Sequence, residues 1–151
     1  MLGEQYAELK GKVTSQRVLD VKGPTIETTV STTGTMKGVQ VQEIITFIGT
    51  PTAERGVLHG VGKGILTTIG DGGELEMVPY TGEGIGRFDS SGGIKWCGSV
   101  FITEKQYYSK TSDPSSSQGE GKLSFLNNMV GIFESEIDAA GNFSEKIWEW
   151  K

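Results

Sequence analysis

The segment Lys122–Lys151, KLSFLNNMVGIFESEIDAAGNFSEKIWEWK, constrains the fold of this chain more than any other. Two runs of alternating apolar and polar residues flank Asp138-Ala139-Ala140-Gly141-Asn142, a turn-rich link of the kind that joins antiparallel strands. The second run ends Trp148-Glu149-Trp150-Lys151, so its last residues are expected to be held in a sheet rather than frayed. A held final strand needs a neighbour on each side. The expectation is a closed sheet in which the last strand pairs with an early one.

Six further strand-like runs precede the hairpin. Leu9–Val21 has mixed alternation and is ended by Lys22-Gly23-Pro24. Thr25–Thr32 is dense in β-branched residues, which suit a pleated surface. Val39–Ile48, Val57–Thr68, Glu74–Phe88 and Ile94–Glu104 come next, separated by glycine-rich turns. Pro79 lacks a backbone donor and should mark a bulge or an irregular start. Glu4–Leu9 reads as one short helical turn, and Lys105–Gly121, rich in Ser, Gly and charge, as a mobile loop. Eight sequential strands with short links imply one domain over residues 1–151: all-β, a closed eight-stranded antiparallel up-and-down barrel of calycin-like type, with a sandwich as the alternative.

The totals narrow the function classes. A net charge of −5 and the lack of a basic cluster interleaved with aromatics argue against nucleic acid as a partner. One cysteine, Cys97, excludes an internal disulfide and agrees with a reducing compartment; it reads as a buried or semi-buried wall residue. The first residues begin no apolar signal region and nowhere do about 18 apolar residues run together, so a cytoplasmic protein without membrane insertion is expected. One histidine, His59, and one cysteine are too few for an ordinary zinc site, and HExxH, CxxC, GxSxG and GxxxxGK[ST] are all missing. Neither a metal nor a cofactor is expected.

Glycine is abundant, with 23 residues, and it is patterned. Gly60, Gly62 and Gly64 occupy every second position of one strand, and Gly82, Gly84 and Gly86 do the same on the next. Period two puts each trio on one face, and antiparallel pairing sets the trios side by side as a bare patch of sheet. Either bulky aromatics from opposite strands, such as Trp96 or Phe133, fill that space, or a ligand does.

Two charged residues sit in apolar rows, which is more informative than exposed charge. Arg17 shares a face with Val13, Leu19 and Val21, and Glu43 shares one with Val39, Val41, Ile45 and Phe47. Either they form an Arg17–Glu43 or similar internal ion pair, or an edge bulge swings one of them out, or Arg17 anchors an anionic or carbonyl ligand while Glu43 acts as acid or base with a pKa raised by desolvation. Tyr80, in line with the glycines, and Asn127, the one amide on an uncharged face running from Leu123 to Ile137, are further candidates for contacts with a ligand, together with Trp96 and Phe133. On the last strand, Trp148 and Trp150 share a face with Lys146, and Glu145 and Glu149 share the other with Phe143 and Ile147; the pattern leaves open which face is interior.

Eight antiparallel strands within 151 residues, glycine-rich at the centre and closed by a terminal strand, resemble the small barrels grouped with allene oxide cyclase, and the run LSFLNNMVGIFESEIDAAGNFSEKIWEWK is similar to the endings of bacterial and archaeal members. The resemblance implies a hydrophobic cavity, no cofactor, a carboxylate that steers cyclisation, and an oligomer. The expected function is binding of a small, mostly apolar molecule, with cofactor-free isomerase or cyclase activity. The alternative is a non-catalytic barrel with a packed interior that forms a homo-oligomer or contacts another protein.

Overall fold

A computed structural model describes residues 1–69, 75–102 and 122–151. Eight strands run antiparallel in chain order: β1 (Leu2–Asp20), β2 (Thr25–Met36), β3 (Val39–Pro51), β4 (Val57–Thr68), β5 (Met77–Phe88), β6 (Ile94–Phe101), β7 (Val130–Ile137) and β8 (Asn142–Trp150). Each pairs with its sequence neighbours, and β8 returns to pair with β1, closing the barrel. Gly11 lies opposite Phe143 and Ala7 opposite Ile147 along that seam, and the Lys151 amide donates to the Met1 carbonyl at 2.9 Å. Glu4–Leu9, expected as a helical turn, is part of β1. A single turn is marginal in water, whereas pairing on both sides satisfies the whole backbone.

The turns are set by a few residues. Lys37 and Gly38 both have positive φ (44° and 79°) and join β2 to β3 as a two-residue hairpin. Asp138 accepts from the amides of Ala140 and Asn142, each at 2.9 Å, and Asp89 does the same for Ser91 and Gly93 in the β5–β6 turn. These local bonds hold the exposed aspartates below the usual carboxylate range, first through the side-chain bonds from Asn142 and Ser91. Pro79 is the third residue of β5 and causes no register slip against β4; pairing with β6 begins only at Thr81.

Strand β1 carries the irregularities. Val13 pairs with Val30 but Ser15 with Thr29, so Thr14 is an extra residue in a bulge. A second slip at the β8 seam leaves Tyr6 between Gln5 and Ala7, and both Tyr6 and Ala7 are buried.

One end of the barrel is closed. The residues before β7 form a short 3-10 turn, Ser124–Leu126, rather than an extension of the strand, and they plug the lumen. Leu123 and Leu126 lose all exposure there and pack with Leu9, Met36, Leu66 and Val78. Glu76, itself buried, fixes the plug by accepting from the amides of Lys122 (2.7 Å) and Leu123 (3.0 Å). The loop expected at Lys105–Gly121 and the start of the strand expected at Glu74 lie outside the described residues.

Candidate functional site

Alternation along the regular strands decides what faces inward. On β3 these are Val39, Val41, Glu43, Ile45 and Phe47, as the apolar row around Glu43 implies. Glu43 is 1% exposed and lies against two hydroxyls: Tyr80 Oη donates to its Oε2 at 2.6 Å, and Thr32 Oγ1 to its Oε1 at 3.1 Å. Burial pushes its pKa up to about 7, although the two hydroxyl bonds favour the charged form. Tyr80 reaches Glu43 from β5, and Gly64, directly across the β4–β5 ladder, leaves room for its ring; a Cβ at Gly64 would run into the Tyr80 ring and hydroxyl.

The interior face of β8 is Phe143, Glu145 and Ile147. This brings a second carboxyl into the lumen. The Glu145 pKa is pushed well up, first by burial and then by the charge of Glu43, and among the described residues its carboxyl has neither a hydrogen bond nor an ion pair. Burial, followed by the charges of Glu145, Glu149 and Glu43, likewise raises the pKa of Tyr6, and burial followed by the charge of Glu43 raises that of Tyr80. Every described lysine and arginine is exposed, so no basic side chain offsets these carboxyls.

The two glycine trios overlap by two positions, Gly60 with Gly84 and Gly62 with Gly82, while Gly64 lies opposite Tyr80 and Gly86 opposite Leu58. Most of the space they leave is taken by aromatics. A Cβ at Gly60 would lie 2.6 Å from the Trp96 ring and one at Gly86 2.8 Å from it, while one at Gly84 would lie 2.9 Å from Phe133. What remains is a cavity of about 60 Å³ lined by Phe47, Tyr80, Trp96, Phe133, Phe143 and Glu145 among others. A water takes up roughly 30 Å³, so the cavity holds a group the size of about two waters. Trp96 and Phe47 meet edge to face with centroids 5.3 Å apart, and both also line a wider depression of about 500 Å³ at the open mouth.

A polar row crosses this cavity. Trp96 pairs with Ser135 and Ser135 with Glu145, so an indole, a hydroxyl and a carboxyl stand side by side on three inward-facing strands. The Trp96 Nε1 is fully buried with no hydrogen-bond partner. An orphaned donor of this kind costs roughly 1–3 kcal/mol and is offset when a ligand or water supplies an acceptor.

The candidates from the sequence divide accordingly. Tyr80, Trp96 and Phe133 line the cavity, and Glu43 stands one hydrogen bond behind Tyr80. Arg17 does not enter the lumen. Its side chain is 71% exposed and pairs with Glu27 at 3.5 Å, so the internal Arg17–Glu43 pair does not exist. The Thr14 bulge is the reason: strict alternation from Val13 puts Arg17 inside, but the extra residue reverses the parity and turns Gln16 toward Thr28 instead. Asn127 ends the 3-10 turn at the plugged end and lies off the strand, because β7 begins only at Val130. Cys97, expected in the wall's buried face, is exposed and points outward, one residue out of phase with inward Trp96. His59 is also on the outer wall, bonded to Glu83 at 2.6 Å.

Glu145 is the residue that alternation alone leaves undecided. Its signal is the same as that of Glu43, an acid between apolar neighbours two residues away on either side, Phe143 and Ile147. Among the described residues no group of three or more His, Cys, Asp or Glu side chains is placed to hold a metal ion, and no helix is long and apolar enough to cross a membrane. No protein-family model, curated protein or solved structure matches the chain.

Proposed function

We propose that this protein is a binding barrel that holds a small, mostly apolar molecule in its lumen and, without a cofactor, catalyses an isomerisation or cyclisation of it by proton transfer. The observation that carries the reading is the pair of inward carboxyls, Glu43 and Glu145, buried beside an aromatic cavity with no described basic residue to neutralise them. A buried ion pair would be structural; buried acids without one are expensive, and such groups concentrate at sites that use them. An acid whose pKa lies near 7 both gives and takes a proton readily at neutral pH. Glu145 and the Tyr80 hydroxyl touch the ligand, and Glu43 acts through Tyr80 as the positioning residue and proton reservoir.

Native mass spectrometry of protein taken from its own cells tests binding: a retained small molecule is expected, and a mass equal to the bare chain counts against it. With that molecule identified, Glu43→Gln abolishes turnover and leaves its affinity largely intact. Unchanged turnover would reduce the protein to a carrier.

The second reading is a barrel with a packed interior that acts through its outer wall, and the small cavity with its aromatic filling favours it. Exposed Ile44 pairs with Ile65 and exposed Ile48 with Val61 across β3 and β4, an apolar outer face suited to a second copy of the chain. A cytoplasmic setting fits both readings through the single exposed cysteine.

A further inference from the structure

We propose that the lumen takes a small alkylammonium ion, its charge against the Glu145 carboxylate and its alkyl part among the rings of Phe47, Trp96, Phe133 and Phe143. The inference rests on the lumen being a binding site and names the class of molecule it selects. Three observations lead to it. The inward-facing wall at this level carries two carboxyls and no described cation, so the electrostatic field of the cavity favours positive charge. Glu145 is 6% exposed, lines the cavity, and among the described residues has no partner that would compete with a ligand. The remaining walls are aromatic and aliphatic, which solvates an organic cation through ring faces but gives a bare metal ion too few oxygens.

Size restricts the ion further. A cavity of about 60 Å³ suits a molecule of about two or three heavy atoms and excludes branched or long chains.

Binding is linked to protons. The groups that face one another here are Tyr6 on β1, Glu43 on β3, Tyr80 on β5 and Glu145 on β8, with Glu149 acting on Tyr6. All four are held toward their protonated forms by burial. An arriving ammonium replaces a proton on the carboxyl pair, and the proton leaves to solvent. Burial and the charge of Glu43 hold the Glu145 carboxyl toward its protonated form, so its ionised fraction rises as pH goes from 6 to 8, and the affinity for the cation rises with it.

The test compares methylammonium with methanol, which has the same shape and two heavy atoms but no charge, by calorimetric titration of the intact protein at pH 6 and 8. The ammonium is expected to bind several-fold more tightly at pH 8 than at pH 6, to release most of a proton at pH 6 when buffers of different ionisation enthalpy are compared, and to bind at least tenfold more tightly than the alcohol. Glu145→Gln should remove this preference while leaving the alcohol unaffected. If the alcohol binds as well as the ammonium, or no proton is released, the ligand class is wrong and the lumen remains a site for neutral molecules. If neither binds, the binding reading falls with it. The proton count is measured on the unaltered chain, so it decides the matter even if Glu145→Gln does not fold.

Discussion

Glu76 at the plugged end and Glu145 in the middle of the barrel are both buried acids, and the fold treats them in opposite ways. Glu76 receives two backbone amides from the plug, that of Lys122 at its edge and that of Leu123 within the apolar cluster. Its oxygens are occupied in holding a segment of chain. Glu145 receives nothing from the described residues and faces a cavity. The contrast separates an acid that serves the fold from one that the fold tolerates, and the second kind is where a ligand is to be sought.

The largest expected effect comes from breaking the first kind. Glu76→Ala removes the carboxylate that holds one buried and one part-buried amide and should cost about 3 kcal/mol, which at roughly 2–4 °C per kcal/mol for a chain of this size lowers Tm by about 9 °C. A loss below about 1 kcal/mol would mean that water replaces the carboxylate and that the two ends of the contrast are alike.

The second effect is a pH dependence that only the middle of the barrel supplies. Glu43 has a folded pKa raised from 4.5 to about 7, so the native state holds a proton that the unfolded chain has already lost. Its contribution is full below about pH 4.5 and is lost as pH rises toward 7, a fall on the order of a few kcal/mol. Glu145 acts in the same direction. Thermal unfolding should therefore show a lower Tm at pH 8 than at pH 5, and Glu43→Gln should flatten the slope. A Tm that climbs over this range would show that the middle acids are as well satisfied as Glu76.

A smaller effect probes how tightly the middle is filled. Gly60→Ala places a methyl 2.6 Å from the Trp96 ring and should cost about 2 kcal/mol, with a shift in tryptophan emission as the ring moves. The smallest is Arg17→Ala, which removes an exposed pair and should change stability by less than about 0.5 kcal/mol in denaturant melts.

The barrel itself is legible in the sequence because alternation and turn residues are local signals, and the register slips fall only where β1 pairs with β2 and β8. Glu43 is legible for the same reason, since β3 is regular from end to end. Arg17 is not, because a bulge leaves no mark in composition: Thr14 looks like any other strand residue and yet resets the phase of every residue after it. Asn127 escapes because the plug continues the apolar content of β7 without its conformation, and only the closing of the barrel end makes a 3-10 turn the better use of Leu123 and Leu126. The choice between the faces of β8 needs the register with β1, which is long-range information.

Thr14 also determines where this chain can change length during evolution. Losing that residue merely straightens β1, and everything downstream keeps its orientation, since Ser15 already stands opposite Thr29. Strand β2 has no such slack against β3, where eleven consecutive positions pair from Ile26 to Met36. A deletion there would turn one half of the strand inside out, exchanging Thr32 beside Glu43 for Ser31 or Thr33, so insertions and deletions should accumulate in lineages of this protein at β1 and be purged from β2.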